Sequence, residues 1–392
     1  MENQPDSVIS VPVSEPHSPN SEPKLRIAEH YCIPINGGRF QIRTATQWGI
    51  LSGRSAKEIL PRLLPLLDGT QTESELLRQL EPYCSAGTLG QILEYLKQKG
   101  LVQQVDGQAA SSDLDLPQMQ TLLRYFGRRG PAEETLAAIR RAHVMIVNAG
   151  PVVPVLAGSL ACCGIPRITL VGESKVLDRE IRQSNYFVQH DQGKARAEVL
   201  RERIPPMTNT TLNEVCEFPA TREEWAKLLC GISVAVVLLD GPILFYPWLE
   251  AFNAAALETN TPWTSVALLD GEEIHIGPTV MPGVTACYKC FELRYKSNLI
   301  YLEQYNAMEA YFHAGNPTID FGLLLPVPEI AASFTALEVL RILTPQTVAK
   351  TTGKLMVFSV ADFTCKFHPV LKLPRCPSCS PVRNQPRQRV WS

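Results

Sequence analysis

Two Cys-x-x-Cys pairs frame the last quarter of this 392-residue chain: Cys287 and Cys290 in TACYKC, then Cys376 and Cys379 in RCPSC. A tetrahedral zinc ion takes four soft thiolates, and two such pairs brought together by a fold supply them. Each pair stands beside the Pro or Gly residues that tight turns use. Two other readings compete: four reduced core cysteines, or a catalytic dithiol. The dithiol is the weaker, because a redox pair normally opens a helix and needs only one such pair. Four protein thiolates leave no open coordination position, so the expected zinc is structural. The spacing therefore predicts that distant stretches of chain are stapled together.

Length predicts two or three domains. A net charge of −2 lacks the basic footprint of a nucleic-acid-binding protein. Of the eleven cysteines, seven lie outside the two pairs without framework spacing. The first residues are polar and acidic, unlike a signal peptide. The longest apolar runs are strand-sized or broken by Gly and Pro, so no membrane span is expected. Thiolate zinc with free cysteines fits a reducing cytoplasm, the expected location.

Composition divides the chain. Residues 1–24 are rich in Ser, Pro, Glu and Asn and are expected to be a disordered tail. Residues 25–105 predict a small domain of three strands and three helices, a winged-helix pattern. HYCIPI and RFQIRT flank a Gly37-Gly38 hairpin turn, and WGIL follows. One helix is expected from Ser55 to Leu67, ending at Asp68-Gly69. Thr72 and Glu75 form a capping box for a second, running to Leu80. Leu89, Ile92, Leu93 and Leu96 carry the spacing of a third, which Gly100 stops. Residues 106–130 read as a linker. Residues 131–392 alternate strands (VMIV, RITLV, VAVVLL, WTSVAL) with helices, which implies a mostly parallel, doubly wound α/β sheet.

The first strand–turn–helix of such a sheet is where nucleotide phosphates normally bind. Here it reads Asn148-Ala149-Gly150-Pro151-Val152-Val153, and of a G-x-G-x-x-G pattern only Gly150 remains. Pro151 has no N–H to offer a phosphate. Gly172 stands where an acid would hold the ribose, with Glu173 one residue late. A nucleotide fold kept as architecture is the expected state, with ATP not used by this chain.

These residues resemble the ThiF/MoeB-type, ubiquitin-activating-like fold over residues 142–380. The resemblance is carried by VMIVNAGPVVPVLAG, the Arg182-Gln183 pair, HDQGKARAE, Asp240 after VVLL and the two Cys-x-x-Cys pairs. It implies that Gly150, Arg182, Arg196 and Asp240 mark a vestigial adenylation site. A narrower resemblance rests on IHIGPTVMPGVTACYKCFELR, HPVLKLPRCPSC and the DGTQTESELL turn. These look like the ThiF-like partner proteins of thiazole/oxazole-modified peptide biosynthesis, with an N-terminal element related to PqqD. That family implies a protein that binds the leader of a ribosomal precursor peptide. It presents the core to a separate YcaO-type cyclodehydratase, which spends ATP to form azolines from Cys, Ser or Thr. No residue of this chain is then assigned a catalytic role. The alternative is a divergent enzyme that adenylates a peptide carboxylate.

An extended leader could add a strand to an exposed sheet edge. The candidate edge is Trp48, Gly49, Ile50 and Leu51; the candidate helix carries Leu89, Ile92, Leu93, Leu96 and Lys97, with Lys97 and Lys99 placed to meet acidic residues. Most of the apolar stripe is expected to face the core, leaving only its border for peptide. His275, His313 and His368 read as structural, and Cys162-Cys163 as close packing. Arg294 is expected to pair with an acid or meet a partner. The aromatic stretch from Leu299 to Gly322 reads as a partner-facing or homodimer segment.

Overall fold

Leu89, Leu93 and Leu96 recur on one helical face, and all three are buried. They centre the core of the N-terminal of two units, Met1–Leu114 and Asp115–Ser392. The computed structural model describes residues 22–27, 31–36, 39–43, 48–99, 101–105, 132–204, 209–239, 246–269, 272–315, 322–344 and 348–380. The expected tail up to residue 21, the Gly37-Gly38 turn, Gly100, the 106–130 linker and Asp240 lie outside them.

In the first unit the expected hairpin forms from β2 (Tyr31–Ile35) and β3 (Arg39–Arg43), and β4 (Trp48–Leu51) joins β3 antiparallel. The count of three strands needs correcting. A second three-stranded sheet, ordered β5-β1-β6, is built from β1 (Lys24–Ile27), β5 (Asp68–Thr72) and β6 (Val102–Val105). Asp68-Gly69, read as a stop and turn, opens β5 instead. Its short polar run lacks the apolar alternation that marks a strand, and the ladder to β1 supplies the order. The single helix expected from Ser55 to Leu67 is broken into Arg54–Glu58, Leu60–Leu63 and a 3₁₀ turn at Leu64–Leu66. Pro61 and Pro65 stand at the first turn of the latter two pieces, where a missing N–H costs nothing. The capping box is present: Glu75 N–H donates to Thr72 Oγ1, and Thr72 N–H donates to Glu75 at 2.8 Å. Ser85 caps the helix Ala86–Gln98.

The second unit is an eight-stranded sheet. β7 (His143–Val147), β8 (Arg167–Val171), β9 (Thr211–Val215), β10 (Val234–Leu239) and β11 (Trp263–Leu269) are parallel, ordered β9-β8-β7-β10-β11. β12 (Glu273–Ile276), β13 (Lys354–Ser359) and β14 (Cys365–Pro369) extend it antiparallel. Every residue of β10 is buried, as in a strand covered on both faces. The helices Val152–Cys162 and Pro326–Leu343 pack together. Strand order reverses between β7 and β10, so their C-terminal ends open the crevice where such sheets take ligands. No helix among the described residues is long and apolar enough to cross a membrane.

Candidate functional site

The four cysteines of the two spaced pairs converge. Their sulfurs all lie within 4.8 Å of one another, and Cys287, Cys290 and Cys376 are buried. Sγ–Sγ separations are 3.9 Å for Cys287–Cys290, 3.6 Å for Cys287–Cys376 and 3.5 Å for Cys290–Cys379. A tetrahedron with metal–sulfur bonds of 2.3 Å has edges of about 3.8 Å. The cage could therefore hold a metal ion with little adjustment. Leu373 N–H points at Cys290 Sγ over 3.4 Å, the kind of outer contact that orients a thiolate. Burial pushes the Cys287 thiol well up, and Cys379 up to about 11. Burial also acts to raise Cys376, but the Cys379 and Ser378 N–H groups outweigh it and hold that thiol below its usual value. Arg294, on the helix Tyr288–Ser297 that begins beside Cys287, donates to the carbonyls of Leu371 (2.5 Å) and Lys372 (3.4 Å). The expected acid for Arg294 is thus replaced by backbone, and the contact ties the first cysteine hairpin to the segment carrying the second.

The turn after β7 is held by its own side chains. Asn148 takes φ +79°, a left-handed conformation that Asn tolerates better than most residues. Its amide donates to Leu238 O at 2.9 Å and its carbonyl accepts from Ala149 N–H at 2.9 Å. Gly150 N–H donates to Glu180 at 3.2 Å. Arg196 donates to Glu180 at 2.7 Å, with both residues buried. Arg196 also donates to the carbonyls of Lys175 (2.8 Å) and Glu173. Arg182 is exposed and pairs with Asp178. Glu173 is exposed, and its carboxylate accepts from Lys175 N–H at 3.1 Å.

In the N-terminal unit, β4 pairs with β3, and no strand lies on its other edge among the described residues. Beside it lies a cavity of about 180 Å³ lined by Leu51, Ser52, Ala56, Leu60, Thr88, Gln91, Ile92, Tyr95 and Leu96. Residues of β4 and of the helix Ala86–Gln98 thus line one cavity. Ile50 and Tyr95 are exposed, and a Cβ added at Gly49 would meet nothing within 4 Å. Of the candidate contacts on the helix, Leu89 and Leu93 are fully taken up by the core, while Leu96 and Ile92 line the cavity. Lys97 is bound to Glu73 at 2.7 Å, so its ammonium already has a carboxylate.

The sequence reading missed Thr88, Gln91 and Tyr95 as cavity residues and Glu180 as the buried carboxylate. The polar positions one turn around from a Leu stripe signal the first three. An acid two residues before Arg182-Gln183 gives no such signal. His275 pairs with Glu273 at 2.8 Å, and His313 and His368 are exposed. In the helix Leu302–His313 Tyr305 is buried, whereas Ile300, Tyr301 and Tyr311 are exposed.

Residues 119–380 match the ThiF family. The chain belongs to the ThiF family. No curated protein matches it in sequence. Among solved structures, E. coli MccB with ATP is 15% identical, with a TM-score of 0.65 over 91% of this chain and 99% of that one. The microcin C7 biosynthetic enzyme MccB in complex with N-formylated MccA is 14% identical, with a TM-score of 0.64 and the same coverage. PaaA is 17% identical, with a TM-score of 0.65 over 88% of this chain and 99% of that one. At these identities the ThiF-family chain shares a fold with them across both units' length.

Proposed function

We propose that this ThiF-family protein binds the leader of a ribosomally made precursor peptide and presents its core to a separate YcaO-type cyclodehydratase. Its own part is non-catalytic. The observation that carries this reading is the edge of β4, without a partner among the described residues, beside a cavity lined in part by Leu51, Leu60, Ile92 and Leu96. An extended peptide placed there would satisfy the edge's free N–H and C=O groups and insert alternate side chains into the cavity. Thr88, Gln91 and Tyr95 stand at its rim as specificity groups. The cysteine cage is read as structural zinc, because four thiolates leave no position for substrate. The work is placed in the cytoplasm, where thiolates stay reduced.

The test is fluorescence anisotropy with a labelled leader from the short precursor gene nearest this one. Binding should be retained by residues 22–105 and lost from residues 131–392. Full-length protein that ignores every such leader would end the proposal.

A second reading is a divergent enzyme that adenylates a peptide carboxylate. It is favoured by one observation: the fold neighbours include MccB solved with ATP and with MccA. ATP–pyrophosphate exchange in the presence of the precursor separates the two readings, since only the second predicts exchange.

A further inference from the structure

The turn after β7 already contains an anion, and it is the chain's own. Backbone N–H groups at a strand–turn–helix with a cation nearby form an anion site. Three donors converge on the Glu180 carboxylate, Gly150 and Arg196 from other stretches of chain and Leu177 from the N-cap of its own helix. Gly150 N–H reaches one oxygen at 3.2 Å, and Leu177 N–H (2.9 Å) and Arg196 (2.7 Å) reach the other. Glu180 is 0% exposed and Arg196 3%. Of the turn's neighbouring donors, Ala149 N–H goes to Asn148 and Val153 N–H to Gly150 O, and Pro151 has none. Arg196 Nη1 and Nη2 also meet backbone carbonyls, while its Nε is buried with no partner among the described residues.

We infer that Glu180 is a built-in anion that fills a latent polyphosphate site at the Gly150 turn and keeps phosphate-bearing ligands out. A plain ion pair would need only Arg196 and Glu180. The Gly150 contact makes the carboxylate the turn's ligand as well, while Leu177 N–H is its capping partner on its own helix, Asp178–Gln183. Removing it should strand a buried guanidinium and two buried N–H groups, which a phosphoryl group of similar charge could then satisfy. The inference is independent of leader binding, because it concerns only the α/β unit.

The experiment compares melting of the full chain as wild type, E180A and the uncharged double variant E180L/R196M. Each is measured in chloride and in inorganic pyrophosphate at matched ionic strength. E180A should melt roughly 10 °C lower than wild type in chloride. Pyrophosphate should restore at least half of that loss, and ATP should show calorimetric binding to E180A alone. Wild type and E180L/R196M should not respond to pyrophosphate. Should E180A not fold in chloride, its refolding yield in pyrophosphate against chloride gives the same reading. Pyrophosphate stabilisation of wild type would mean the turn is already open and would overturn the inference. So would E180A responding equally to the two salts, or E180L/R196M being rescued like E180A.

Discussion

The Gly150 turn and the edge of β4 both present backbone groups, and they are finished in opposite ways. At the turn, Gly150 N–H is consumed by Glu180, and Asn148 spends its side chain on Leu238 and Ala149. At the groove, β4 has no strand on its other edge among the described residues, and Ile50 and Tyr95 are exposed. Unsatisfied backbone is costly when buried but cheap when water reaches it. A binding edge can therefore wait open at a surface, whereas a buried turn must be filled. The α/β unit satisfies its turn internally; in the N-terminal unit the edge of β4 has no partner among the described residues.

The contrast breaks if the internal ligands of the α/β unit prove dispensable. Cys376→Ala should have the largest effect. Zinc content measured by atomic absorption should fall from about one equivalent to near none, and unfolding of that unit should shift by several kcal/mol. In the intact protein, zinc affinity should weaken as pH falls. Cys287 and Cys379 carry raised pKa values in the metal-free cage, so protons compete for the sulfurs that a metal needs as thiolates. A competition titration between pH 6 and 8 in which affinity does not change would count against thiolate coordination.

Arg196→Ala comes next. It leaves the Glu180 carboxylate buried without its cation and should cost about 3–5 kcal/mol by urea denaturation. A cost below about 1 kcal/mol would show that water reaches the pair. The open side should behave in reverse. Ile50 is half exposed, so Ile50→Asp should change stability by less than about 0.5 kcal/mol. It should nevertheless weaken leader binding at least tenfold, because it would put a charge on the exposed strand proposed to pair with the leader. The smallest effect is Gly90→Ala on the groove helix. A Cβ there meets nothing within 4 Å, and the helix should gain about 0.5–1 kcal/mol in thermal unfolding. If leader affinity also moves, the peptide passes over that side of the helix.

Much of this was legible in the residues. The Thr72–Glu75 capping box, the buried Leu stripe and the β7, β8, β10 and β11 strands follow from local periodicity and capping chemistry, which depend on neighbours only a few positions away. The strands β1 and β5 were not legible. DGTQT carries no apolar alternation, and KLRI has only four residues of it; they are ordered as strands by the ladders that join β1 to β5 and β6. The break at Pro61 and Pro65 was visible in the letters, yet a continuous apolar run outweighed it in the reading.

The residue types and spacings by themselves determined the four cysteines that could hold a metal and the loss of the glycine pattern at Asn148 and Val153. Both depend on what a side chain is, and on local spacing, whatever surrounds it. The tertiary structure decided that those four sulfurs sit at the edge lengths of a tetrahedron, that Leu89 and Leu93 face inward while Ile92 and Tyr95 line a cavity, and that Glu180 rather than a solvent-borne anion meets Gly150. Those outcomes turn on distances between residues 30 to 89 positions apart in the chain. Such distances are set by sheet order and helix packing, which no local pattern encodes.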